Sequence, residues 1–266
     1  MSTANIYFPA GLWYTEKNLC LKGVPPVDTE ILGVAFDNVT MEEAVDRAMP
    51  LLAEDGPHLV VTPNAEIVQA ARKDGDLAAI IAGANLVLPD GVGVVYASRI
   101  LGRPLKGRVP GVDFAAALMA RMAQTGQRLY LLGAKPGVAE EAAEKLTAAH
   151  PGLTVCGTHD GYFKEDGPVA GAIRAAGADV VFVCLGSPKQ EKWAAANGAA
   201  TGAKLLVGLG GSLDVFAGRV ERAPEGWQRL GLEWLYRTVK EPARFKRIVK
   251  LPGFLCAAVG ARISGK

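Results

Sequence analysis

The sequence predicts an α/β fold: a Rossmann-like, mostly parallel sheet with helices on both faces, joined to a basic C-terminal helical appendage. Three observations carry this. Short apolar runs with few polar interruptions alternate with helical patterns, as expected for strands covered on both faces. Nearly every glycine-rich or polar irregularity ("TPN", "PDG", "GAKPG", "GSPKQE", "GLGGS") falls directly after such a run, where ligands sit in open α/β sheets. From residue 219 onward the alternation stops and basic residues accumulate.

Taken in order, residues 1–30 are weakly patterned, contain "VPPVD" and read as an N-terminal extension. Residues 31–218 form the α/β core. "ILGVAF" is its first strand, followed by "TMEEAVDRAMPLLAE", where Thr40 and Glu43 have the spacing of a capping box. "HLVVT" leads into "AEIVQAARK", "LVLPDG" into "VGVVYASRIL", and "RLYLLG" into "VAEEAAEKLTAAH". "DVVFVCLG" leads into "KQEKWAAANGAA", and "KLLVGLGG" closes the series. Residues 219–266 form the appendage, where Trp227, Leu230, Trp234 and Leu235 fall on one helical stripe. Pro242 then stops or kinks that helix.

The chain of 266 residues is long enough to bury a substantial core, and its net charge of +2 hides an asymmetry. Residues 219–266 carry eleven Lys or Arg against four Glu, a net +7, which leaves the first 218 residues at −5. A basic tail on an acidic body suits an anionic partner. Cys20, Cys156, Cys184 and Cys256 are scattered without metal-ligand spacing, and Cys184 reads as a reduced core thiol, which points to a reducing compartment. Neither a signal peptide nor a transmembrane helix is expected.

Several stretches carry candidate chemistry. "LLGAKPGVAEE" and "CLGSPKQEKW" have the form of glycine loops that cradle phosphates, with Lys135 and Lys189 able to meet a diphosphate. Ordinary strand-to-helix turns give the same pattern, so both readings stand. Neither is a Walker A sequence, and "GLGGSL" departs from GxGxxG at Leu213. Asp74 and Asp76 form an Asp-x-Asp between two helical patterns, which reads as a turn with Asp76 capping the next helix rather than a metal site. Thr62 and Asn64 are either helix caps or substrate contacts. Asp90, at the end of "LVLPDG", is either a turn residue or a carboxylate placed where a strand ends. His58, His150 and His159 are not grouped, so neither a histidine metal site nor a Ser-His-Asp triad is indicated, and His159 in "GTHDGYF" reads as surface loop. On a continuous helix Arg237, Arg244 and Arg247 would share one face, which reads either as a solvated helix face or, with Trp227 and Trp234 near, as a helix seated among lipid headgroups.

Together "TPNAEIV", "LPDGVGVV", "RVPGVDF", "LLGAKPGV", "DGYF", "GSPKQE", "GGSLDVFAG" and "RAPEGWQRLGLEWLYRTVKEPARFKR" resemble the WecG/TagA/CpsF family of glycosyltransferases. They occur in the family's order over about residues 31–250. The resemblance implies inverting, metal-independent and cofactor-free transfer of a sugar from a UDP-sugar to a polyprenyl-diphosphate-linked sugar. The donor sugar would be N-acetylmannosamine or a related hexose, in cell-surface or exopolysaccharide biosynthesis. It implies Asp90 as general base, with Thr62 and Asn64 beside donor and acceptor. Arg108 and Gln190 would be active-site polar residues. Arg237, Arg244 and Arg247 would complete the site and hold the enzyme on an anionic membrane surface, at the cytoplasmic face. Gly226 departs from the family, where an aromatic is common. No nucleic-acid partner is expected, and a homo-oligomer is left open. Two rival readings remain: a nucleotide-dependent oxidoreductase on a doubly wound sheet, and a non-catalytic membrane-surface binding protein.

Overall fold

The structure, a computed structural model, describes residues 28–224, 226, 227, 235, 236 and 250–264. Six parallel strands form the central sheet: β3 (His58–Val61), β4 (Leu86–Val87), β5 (Arg128–Gly133), β6 (Thr154–His159), β7 (Val180–Cys184) and β8 (Leu205–Gly208). Their order across the sheet is β4-β3-β8-β7-β5-β6. Alternate residues of each strand feed two cores, one on either face. Val60, Leu131, Phe182 and Val207 face the layer of α1 (Met41–Leu51), α5 (Gly111–Thr125), α6 (Val138–Ala149) and α9 (Ser212–Phe216). Leu59, Leu132, Val181 and Leu206 face α2 (Ala65–Ala71), α3 (Gly75–Ala82), α4 (Val92–Ile100), α7 (Asp166–Ala175) and α8 (Lys189–Thr201). Burial on both faces is why β3, β7 and β8 read as unbroken apolar runs.

Two assignments differ from the sequence reading. "ILGVAF" is not one strand of the main sheet: it holds the end of β1 (Thr29–Ile31), the turn and all of β2 (Val34–Phe36) of an antiparallel hairpin. Leu32 and Gly33 both adopt positive φ, and that pair turns the chain back within what reads as a single apolar run. The hairpin still guards the sheet. The Asp37 N–H donates to the Val87 carbonyl at 3.0 Å and its carboxylate accepts the Val87 N–H at 2.8 Å, which covers part of the open edge of β4. The second difference is β6, in the stretch read as surface loop. As an edge strand its side chains are only half-buried, so "TVCGTH" lacks the apolar run that marks its neighbours.

The helix starts follow local chemistry. Thr40 and Glu43 form the capping box expected for α1. For α3 the cap is Asp74, not Asp76: the Asp74 side chain accepts from the Leu77 N–H at 3.1 Å. Asp74 also pairs with Lys192 at 2.8 Å, so the first carboxylate of the Asp-x-Asp is already engaged.

A further helix, α10 (Lys250–Ile263), packs against α4 and α2, burying Phe254 and Ala258 in the core. It approaches so closely that a Cβ on Gly93 of α4 would lie 2.7 Å from the Leu251 side chain and 3.1 Å from Ala65. This part of the appendage is apolar and integral to the body. Arg262 alone carries charge between residues 251 and 264, and it donates to the Leu101 carbonyl at 3.0 Å.

Candidate active site

The loops after β3 and β4 are stitched into one unit by backbone hydrogen bonds. Leu88 N–H donates to Val61 O at 2.9 Å, Asp90 N–H to Pro63 O at 3.2 Å, and Val109 N–H to Pro89 O at 2.8 Å. The Pro89-Asp90-Gly91 turn is thus held on one side by the Thr62-Pro63-Asn64 loop and on the other by the segment carrying Arg108. Asp90, Asn64 and Arg108 are all half-buried at this end of the sheet. Gly91 is the N-cap of α4 at φ 87°, and a Cβ there would sit 3.5 Å from the Asn64 Cβ. Gly91 itself has no side chain with which to cap α4. The backbone of Asp90 thus follows the turn reading, directly ahead of the Gly91 that opens α4.

Thr62 and Asn64 each make the hydrogen bonds their positions dictate. The buried Thr62 hydroxyl donates to the Gly208 carbonyl at 2.9 Å, tying β3 to the end of β8. The Asn64 side-chain oxygen accepts from the Glu66 and Ile67 N–H groups at 2.9 and 3.1 Å and caps α2. That leaves the Asn64 amide nitrogen as the group available to face the cleft. Gly111, the first residue of α5, packs over Thr62: a Cβ there would lie 3.2 Å from its hydroxyl.

Gln190 enters the site from behind. It is 2 % exposed. Its amide nitrogen donates to Glu191 Oε1 at 2.9 Å, and its amide oxygen accepts from the Gly210 N–H at 2.8 Å. The glycine loop after β8 is consequently gripped by Gln190 from β7's side and by Thr62 from β3's side. Glu191, which sequence reasoning passed over, is equally buried. Burial pushes its carboxyl above the ordinary range, opposed by hydrogen bonds from Gln190 and Ser187. A charged residue inside an otherwise ordinary helix start was the signal available for it.

Lys135 is exposed on the loop after β5, four strand spacings from β4, about 19 Å along the sheet edge. It does not join the Asp90 cluster. Lys189 is drawn to the β6 loop instead, donating to the Gly161 carbonyl at 3.1 Å and lying 4.8 Å from the centre of the Phe163 ring. That loop is more ordered than a surface loop, since Phe163 packs edge-on against both His159 and Trp193. Tyr162, next to Phe163 in the chain, is 69 % exposed.

The edge is suited to anions. α4, α6 and α8 all begin here, at Gly91, Gly137 and Pro188, and none has a side-chain cap. Their positive dipole ends lie at this edge of the sheet, although the Gln190 N–H of α8 is taken by the Gly186 carbonyl and the Val138 N–H of α6 by the Lys135 carbonyl. Among the described residues no three His, Cys, Asp or Glu side chains are grouped to hold a metal ion. Arg237, Arg244 and Arg247, with Leu230, Trp234 and Pro242, lie outside the described residues. Trp227 is described, its ring centre 5.9 Å from that of Tyr236. At Gly226 a side chain would meet nothing within 4 Å, so the departure there is not forced by packing among the described residues.

Known proteins match this arrangement over most of its length. The family model of the glycosyl transferase WecG/TagA/CpsF family matches residues 29–266. An N-acetylglucosaminyldiphosphoundecaprenol N-acetyl-beta-D-mannosaminyltransferase of Bacillus spizizenii is 38% identical over 200 residues, 75% of this chain and 78% of the relative. A protein of the same name from Staphylococcus aureus is 35% identical over 229 residues, covering 85% of this chain and 90% of the relative.

Proposed function

The chain belongs to the WecG/TagA/CpsF family and is a glycosyltransferase, and from that premise we propose that it transfers a sugar from a UDP-sugar to a polyprenyl-diphosphate-linked sugar at a membrane surface. The relatives' names support N-acetylmannosamine as the sugar moved and lipid-linked N-acetylglucosamine as its acceptor. Family membership sets aside the oxidoreductase and the non-catalytic readings.

The observation that carries the mechanism is Asp90, a half-buried carboxylate on a turn clamped by the loops of Thr62 and Arg108 at the carboxyl end of the sheet. As general base it takes the proton of the acceptor hydroxyl while that oxygen attacks the anomeric carbon. The bond to the UDP oxygen breaks on the opposite face, so configuration inverts, and Asp90 later returns its proton to water. Negative charge grows on the departing diphosphate. The dipole ends of α4 and α8, the glycine loop after β8 and Arg108 offset it, and the appendage arginines Arg237, Arg244 and Arg247 add positive charge. Lys135 meets the distal part of the donor. Gln190 acts through the glycine loop that it holds. Transfer proceeds without a metal or other cofactor.

No helix among the described residues is long and apolar enough to cross a membrane. The net +7 of residues 219–266 supports reversible attachment to an anionic surface at the inner face of the cell membrane, each basic residue contributing about 1 kcal/mol. The test is UDP release from a panel of UDP-sugars on a polyprenyl-diphosphate-linked N-acetylglucosamine acceptor, with and without excess EDTA. Turnover with UDP-N-acetylmannosamine, unchanged by EDTA, is expected. Turnover confined to another donor overturns the assigned sugar, and loss that Mg²⁺ or Mn²⁺ restores overturns the metal-independent mechanism.

A further inference from the structure

We infer that Glu191 is a positioning residue for donor binding: its buried side chain sets the orientation of the Gln190 amide and, through it, the glycine loop after β8. The inference rests on the reading of that loop as part of the donor diphosphate cradle.

An amide has one accepting and one donating end, and the two are nearly equal in shape. Only one orientation of Gln190 serves the loop. Its oxygen must face the Gly210 N–H, as it does at 2.8 Å, because the flipped amide would set NH₂ against N–H. Glu191 Oε1 decides between the two by accepting from the Gln190 nitrogen at 2.9 Å. Glu191 is 1 % exposed and Gln190 2 %, so bulk water cannot replace the acceptor. The fit is also tight on the loop side, where a Cβ on Gly208 would come within 3.0 Å of the same Gln190 nitrogen. Thr62 holds the Gly208 carbonyl from the other flank. The loop therefore has two anchors, and Glu191 determines whether one of them can form. Either protonation state of the carboxyl can accept through Oε1, so the anchor does not depend on ionisation.

The test uses the full chain, with UDP as the titrated probe and steady-state kinetics against the lipid-linked acceptor. Glu191→Met keeps the length and removes the acceptor. It is expected to weaken UDP binding about tenfold and to raise the donor KM more than it lowers kcat, as loss of one buried hydrogen bond implies. Glu191→Gln restores an acceptor and keeps UDP affinity within about threefold of the parent protein. Where Glu191→Met fails to fold by circular dichroism, Glu191→Asp carries the test. Its carboxyl stands one methylene short of Gln190 and weakens UDP binding while Glu191→Gln does not. Folded Met and Asp variants that bind UDP like the parent overturn the inference. So does a Gln variant as impaired as Met, since charge rather than acceptance would then matter. If the unaltered protein binds no UDP, the donor reading itself fails, an outcome read before any substitution.

Discussion

The Thr62 hydroxyl donates a 2.9 Å hydrogen bond to the Gly208 carbonyl across 146 residues of chain. It joins the carboxyl ends of β3 and β8, two adjacent strands in the middle of the sheet, and both lead into loops of the candidate site. Thr62→Val keeps the shape and deletes the donor in a buried setting. Stability should fall by about 1–3 kcal/mol, and UDP affinity should fall with it, while Thr62→Ser retains both. Thermal unfolding with UDP titration checks this. A valine variant matching the parent on both counts removes Thr62 from the anchoring of the loop.

Asp90→Asn should leave the fold and UDP affinity intact, because the turn is held by backbone bonds of Pro63, Pro89 and Val109. Transfer should drop by at least about a hundredfold, the range for losing a general base. Single-turnover transfer alongside UDP calorimetry separates the two effects. Near-parental turnover would mean that another group takes the proton.

The appendage is best tested by charge and not by truncation. Deleting residues 219–266 would also strip Phe254 and Ala258 from the core, confounding attachment with unfolding. Replacing Arg237, Arg244 and Arg247 together by Gln should instead weaken partition to anionic vesicles by roughly 3 kcal/mol, about a hundredfold. Flotation against anionic and neutral vesicles reads this directly. Equal flotation of variant and parent argues against an electrostatic anchor.

Stability should decline on mild acidification through His58. Its ring is buried at the start of β3, and burial holds its pKa below the ordinary 6.5, with Glu54 pulling the other way. Above that ordinary value both folded and unfolded chains carry a neutral imidazole, so no linkage operates. As pH falls below it, the unfolded chain gains the proton first and stability is lost. The slope is at most about 1.4 kcal/mol per pH unit for one proton. Glu191 works in the opposite sense, because its raised carboxyl pKa lets the folded state bind a proton first and gain stability as pH falls through that range. Urea unfolding from pH 8 to pH 5 should therefore show a flatter acid limb for His58→Leu and a steeper one for Glu191→Gln. An unchanged profile in His58→Leu excludes that histidine as the source.

Apolar runs located β3, β5, β7 and β8 because strands covered on both faces leave no room for polar residues. The same logic misses β6, whose exposed edge relaxes that demand, and misreads the β1–β2 hairpin, where two residues at positive φ interrupt an otherwise uniform run. Within the site, the position of Asp90 at the end of an apolar run beside Pro89 and Gly91 fitted a turn residue as well as a placed carboxylate, and only the family resemblance favoured the second. The engagement of Gln190 with Gly210, and the part of Glu191 behind it, was not visible, since neither pattern nor spacing tells which strand-end loop a side chain will meet.

By itself the sequence determined the alternation of strands and helices, the row of glycine and polar loops after the strands, the capping box of α1 and the concentration of positive charge beyond residue 218. These are local or additive properties, set by periodicity, backbone preference and charge. Only the tertiary structure decided that β8 lies between β3 and β7, that Thr62 and Gln190 grip one glycine loop from opposite sides, and that α10 belongs to the core. Periodicity reports that a face is buried, whereas the partner that buries it depends on the order of strands across the sheet, a long-range choice made by packing.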